Sequence, residues 1–208
     1  MRKSEMIHEV VFLVLAIASC FAFLIFLFSN QIFNSMQCLF LFLCLYIPSA
    51  IQLLFKIKIA PFMSFIYEIF LILHFVFGEI INFYVLIKHY DTMLHFLTAI
   101  LLTIFGYSII HFYLDNKVIF IQIIFAVLFG LTSEYLWEIL EFCIDHFCYT
   151  NMQRFIKDGV VLKGHLALVD TTKDMVVALI GCLLSTFLFK INLFKDLKIN
   201  IYNKKNQH

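Results

Sequence analysis

Four carboxylates, Glu134, Glu138, Glu141 and Asp145, recur at i, i+4, i+7 and i+11 inside the apolar stretch 130–145. At about 100° per residue they fall within an arc of about 60° and form one stripe along a helix. Two more pairs share the i, i+4 spacing: Asp91 with His95, and Asp170 with Asp174. Converging carboxylates with one imidazole can hold a hard divalent cation (Mg2+, Mn2+, Ca2+) or non-haem iron. They can also relay protons, or bind one another and fix helix packing. In a low dielectric such acids cannot all stay ionised without compensation, so protons, paired bases or a cation must accompany them.

Everything around these residues is apolar. The chain has 208 residues, 63% hydrophobic and 14% charged, with 27 Phe and 2 Pro. Soluble proteins average about 45–50% apolar and about 25% charged residues. The excess defines an all-α polytopic membrane helix bundle, read as one transmembrane domain over 1–208. A formal net charge of +1 gives no reason to expect a nucleic-acid partner; membrane lipid is the expected one, and self-association is open. The six cysteines form no CxxC pair, which removes the usual zinc and redox motifs and leaves them as small fillers within helices.

A hydrocarbon core of about 30 Å needs about 20 apolar residues per helix. About six spans meet that requirement, at roughly 9–29, 36–55, 62–87, 91–113, 118–147 and 167–189. The first continues past Ile17-Ala18-Ser19-Cys20, so it reads as an uncleaved anchor. Residues 190–208 read as a polar tail. Six spans place both termini on one side, which collects ten Lys and Arg, among them Arg2, Lys3, Lys56, Lys58, Lys117 and Lys190. The other side holds Lys88, Arg154, Lys157 and Lys163. The bias predicts cytoplasmic termini in a bacterial inner membrane.

That topology brings the polar residues to one depth. Asp91 and His95 open the fourth span, the acid stripe closes the fifth, Asp170 and Asp174 open the sixth, and Glu79 reaches the same level on the third. The expected cation ligands are Asp91, His95, Glu134, Glu138, Glu141, Asp170 and Asp174, with Glu138 or His95 as a general base. Arg154, Lys157 and Lys163 on the loop are expected to hold a lipid head group. Asp91 and Asp170 also suit helix caps, and Asp145 suits solvent beyond its helix. Glu68 and His74, mid-span on the third run, are expected to have private hydrogen bonds. Gly130, with Ala126 a turn earlier, and Gly181 suit close helix packing. Followed inward, the face of the stripe reads Gly130, Val127 and Ile123, where its polarity stops.

At these residues the chain resembles a known group. Asp91-Thr-Met-Leu-His95-Phe, Glu134-x3-Glu138-x2-Glu141 and Asp170-x3-Asp174-Met with Ala178-x2-Gly181 are similar to the bacterial YjdF-type inner-membrane proteins, a family without an assigned activity. The resemblance covers about 75–185. The family pattern has Asp-Arg where this chain has Asp91-Thr92. A weaker likeness, through Asp-x3-His alone, is to VanZ-like proteins, which are associated with teicoplanin resistance. The resemblance implies membership and a shared site, and supplies no reaction. Three functions remain: a metal-dependent enzyme acting on a lipid or lipid-linked phosphate, a cation or proton transporter, and a structural or accessory membrane protein.

Overall fold

The computed structural model describes residues 3–55, 59, 61–114, 118–157 and 159–190. The protein is an all-α polytopic membrane protein whose described residues form two compact units, one up to Tyr90 and one from Asp91. Five helices are long and apolar enough to cross a membrane among the described residues. Their large apolar side chains stay exposed, for example Val14, Phe21, Leu128 and Phe142. That is the arrangement a lipid solvent selects.

In the first unit, α1 (Lys3–Phe28) and α2 (Ile32–Leu45) form a helical hairpin. Asn30 makes the turn at φ 58°, in the left-handed region that Asn tolerates better than most residues. The chain breaks at Tyr46 and restarts as α3 (Ile47–Phe55), with Pro48 in its first turn, where a missing N–H costs nothing. Helix α4 (Pro61–Leu71) runs on into a π-helical segment, Ile72–Ile80. Ala16, Leu41, Leu45, Leu71 and Phe75 form the unit's apolar core.

The third apolar run, expected over 62–87, is therefore not one helix. It ends at Ile80, reverses through Asn82 at φ 68°, and makes a single turn, α5 (Phe83–Leu86). Tyr84 explains the reversal: its ring lies over Gly78, where any β-carbon would collide with it, and its hydroxyl lies 2.5 Å from His74 Nδ1. Glu68 also has its own partner, His8 Nδ1 at 2.8 Å. Glu79 belongs to this unit and accepts a hydrogen bond from Gln37 Nε2 at 3.3 Å.

The second unit contains α6 (Tyr90–Tyr113), counted from Asp91, then α7 (Ile119–Cys148) and α8 (Val169–Lys190). Between α7 and α8 lies a loop with a two-residue β-hairpin, β1 (Ile156–Lys157) and β2 (Val160–Val161), and a 3-10 turn, Gly164–Leu168. The basic residues Arg2, Lys56, Lys58 and Lys117 and the tail beyond 190 lie outside the described residues.

Candidate functional site

Three helices of the second unit turn their polar faces inward. On α7 the buried positions are Gln122, Ala126, Gly130, Glu134, Glu138, Glu141 and Asp145, while Tyr135, Leu136, Ile139, Leu140 and Phe142 are exposed. On α8 they are Asp174, Ala178, Gly181, Cys182 and Ser185; on α6 they include Asp91, His95, Ala99 and Thr103. A helix that buries its acids and exposes its large apolar residues reverses the soluble pattern and suits a bilayer.

Small residues let the three backbones approach. A β-carbon on Gly130 would strike Thr103 Oγ1 and come within 2.9 Å of Cys182 Sγ. One on Gly181 would lie 2.7 Å from the Phe96 carbonyl oxygen. Ala99, Ala178 and Cys182 complete this seam, with Val127 and Leu131 packed against it. Inward from the acids, the buried line is Gly130, Ala126 and Gln122, so the face expected at Val127 and Ile123 was misplaced. It follows steps of four, because small side chains at those positions permit contact. Gln122 donates to the Leu114 carbonyl at 2.8 Å and lies 3.2 Å from His111 Nδ1.

The acids gather at the end of the seam nearer the α7–α8 loop, around His95. His95 Nδ1 lies 2.9 Å from Glu134 Oε2, and Nε2 lies 3.7 Å from Asp91 Oδ1 and 3.8 Å from Glu138 Oε1. Nδ1 is thus engaged by Glu134, and Nε2 is the nitrogen that faces the other acids. Two groups have donor atoms all within 4.8 Å of one another: Asp91, His95 and Asp174, and His95, Glu138 and Glu141. Glu134 and Asp170, expected as ligands, are in neither group. Glu134 meets the imidazole, and Asp170 meets the chain's own cations.

Those cations line one side. Arg154 Nε lies 3.2 Å from Asp91 Oδ2 and 3.7 Å from Asp170 Oδ2. Lys173 Nζ lies 3.0 Å from Asp170 Oδ1 and 3.7 Å from Asp174 Oδ1. Lys173, between Asp170 and Asp174 in the first turn of α8, is the second permanent cation at the cluster. Lys157 and Lys163, expected beside Arg154, are exposed elsewhere on the loop.

Asp145 also departs from expectation. It is buried and gathers the loop: Thr150 Oγ1 donates to it at 2.6 Å, the Met152 amide at 2.7 Å and the Gln153 amide at 2.9 Å. Gln153 Nε2 then donates to the Glu138 carbonyl and to Thr171 Oγ1. These bonds position Arg154, whose backbone sits at φ 51°.

Several buried acceptors lack a donor among the described residues. In this cluster they are Oε1 of Glu134 and Oδ1 of Asp174, and the Glu138 carboxylate, though it interacts with Thr171 and Gln153, has no close hydrogen bond. Glu141 differs: Trp137 Nε1 donates to it at 2.8 Å, one turn away on α7. Buried polar groups are normally satisfied, so each exception needs a physical account.

Residues 9–194 match the family described as Predicted membrane protein (DUF2238). The chain belongs to this family. An uncharacterised protein of Thermotoga maritima is 35% identical over 115 residues, covering 53% of this chain and 52% of the relative. The chain thus matches about half the length of that relative. No solved structure matches. The DUF2238 match lends no support to the weaker likeness to VanZ-like proteins.

Proposed function

We propose that this protein is a YjdF-type inner-membrane protein that binds a divalent cation among α6, α7 and α8 and uses it on a lipid or lipid-linked phosphate. One observation carries the reading. Glu138 is 5% exposed, neither carboxylate oxygen has a close hydrogen bond among the described residues although Thr171 and Gln153 interact with it, and His95 Nε2 faces it. A buried carboxylate left in that state is costly, and a hard cation is the partner that satisfies it. Mg2+, Mn2+, Ca2+ and Fe2+ suit carboxylates with one imidazole.

The chain's own cations favour Asp91, Asp170 and Asp174, and leave the acids nearer Trp137 with only the imidazole. The ion is therefore assigned first to His95, Glu138 and Glu141, with Glu134 holding the ring. His95 becomes a ligand through Nε2, which leaves a water-activating role to a carboxylate. Such an ion would neutralise a phosphate and lower the pKa of bound water. Lys157 and Lys163, exposed on the loop, suit the surrounding head-group region.

The small-residue seam supports a binding site over a through-path. Ala99, Ala126, Gly130, Ala178 and Cys182 close the bundle directly beneath the acids. The Lys and Arg bias of the sequence puts the loop outside and both termini in the cytoplasm.

The test is elemental analysis of protein purified gently without chelator, followed by Mn2+ titration with Glu138→Gln as control. Retained or saturably bound divalent ion that the variant loses is expected. Absence of both retained ion and saturable Mn2+ binding would overturn the reading. Release of inorganic phosphate from phosphatidic acid vesicles, tested with the ion-loaded protein, separates an enzyme from an ion-stabilised structural protein.

A further inference from the structure

Two ligand sets converge on His95, and we infer that the centre takes two divalent cations. The inference rests on the ion-binding reading and extends it to stoichiometry and to the charge state that meets the substrate. Asp91, His95 and Asp174 form one set; His95, Glu138 and Glu141 form the other. Each set has its own unsatisfied buried carboxylate. In the first it is Asp174, 2% exposed, whose Oδ1 has no hydrogen bond and only Lys173 Nζ at 3.7 Å; in the second it is Glu138, 5% exposed, whose oxygens have no close hydrogen bond although Thr171 and Gln153 interact with it. A single ion in one set would leave the other set's deficit in place.

The imidazole stands between the sets, with Nε2 3.7 Å from Asp91 Oδ1 and 3.8 Å from Glu138 Oε1. Since Nδ1 is committed to Glu134, Nε2 ligates one ion, and the other takes oxygen donors, which hard divalent ions accept readily. The outer carboxylates keep donors for it. Asp91 gives Oδ2 to Arg154 and keeps Oδ1 toward the imidazole, and Asp174 Oδ1 has only the distant Lys173, at 3.7 Å.

Charge counting agrees when all six acids are ionised. Asp91, Glu134, Glu138, Glu141, Asp170 and Asp174 face two permanent cations, Arg154 and Lys173, so four negative charges remain when the imidazole is neutral. One divalent ion halves that excess and two cancel it. A phosphate is repelled by the half-compensated centre and accepted by the neutral one, whose two ions can each bind one of its oxygens.

The experiment is Mn2+ titration of the full chain in lipid nanodiscs, read by calorimetry and by electron paramagnetic resonance. Two Mn2+ per chain with a spin-coupled spectrum is expected. Asp174→Asn and Glu138→Gln should each keep one Mn2+ and show the spectrum of an isolated ion, with circular dichroism checking that the helices persist. One Mn2+ per chain in the unsubstituted protein would overturn the two-ion inference and leave the ion-binding reading standing. No bound Mn2+ would overturn both. Loss of all Mn2+ from both variants while they remain helical would overturn the division into two sets.

Discussion

Glu134 Oε2 lies 2.9 Å from His95 Nδ1, across α7 and α6, and this contact decides which imidazole nitrogen faces the other acids. A partner on one ring nitrogen fixes the tautomer and raises the basicity of the other. An ion held by His95 would therefore feel Glu134 through the imidazole.

From that contact, Glu134→Ala should weaken Mn2+ binding by about 10–100-fold while the protein stays folded. Glu134→Gln, which keeps an accepting oxygen, should recover a large part of the loss. Calorimetric titration of both variants checks this; equal losses would mean that Glu134 contributes charge and no orientation.

Arg154 is a resident cation that shares Asp91 with the proposed ions. Removing it should raise divalent-cation affinity, because one competing positive charge leaves the site. Unit charges about 4 Å apart interact by about 4 kcal/mol at an effective dielectric near 20, and the effect falls with distance. Arg154→Gln is expected to tighten Mn2+ binding by about tenfold, and Arg154→Lys to leave it nearly unchanged. Lys157→Gln and Lys163→Gln should have no effect, since those side chains point to solvent on the loop. Weaker binding in Arg154→Gln would contradict the competition.

Asp145 controls the loop that carries Arg154. Hydrogen bonds to a charged acceptor are worth about 1.5–3 kcal/mol each, and Asp145 accepts from Thr150 and from the amides of Met152 and Gln153. Asp145→Ala should leave the helices formed and expose the loop, raising the rate of tryptic cleavage at Arg154 and Lys157 by at least about tenfold. An unchanged cleavage rate would show that the hairpin orders the loop without it.

Gly130→Ala tests the seam. The added β-carbon has no room beside Thr103 Oγ1 and Cys182 Sγ, and overpacking costs about 1–3 kcal/mol. Thermal unfolding in detergent should shift down. Gly159 has open space around it, so Gly159→Ala should cost less, only the strain of its φ of 75°.

The helical stripe was readable because period and burial agree: Glu134, Glu138, Glu141 and Asp145 lie on one face of α7, and all four are buried. Apolar length likewise revealed the spans. What spacing could not reveal was division of labour within the cluster. Glu134, Glu138 and Asp145 look alike in sequence, yet one meets an imidazole, one has no close hydrogen bond among the described residues and one gathers a loop. Those differences depend on neighbours distant in the chain. Asp145 was easy to assign to solvent because the loop that folds back over it carries no strong pattern. The early end of the third run was equally hidden: nothing in 72–86 predicts a π-helical segment, which arises with Tyr84 packing over Gly78.

The contact of Gly130 with Thr103 and Cys182, and of Gly181 with the Phe96 carbonyl, works as a gauge. It sets the distance between the helices that carry Glu134, His95 and Asp174 using positions that have no side chain to rotate. Variation there runs in one direction only: every substitution adds volume and spreads the cage. For the proposed ions, a wider cage would disfavour small ones such as Mg2+ before larger ones such as Ca2+, and the preference would then be set by residues that touch no ion.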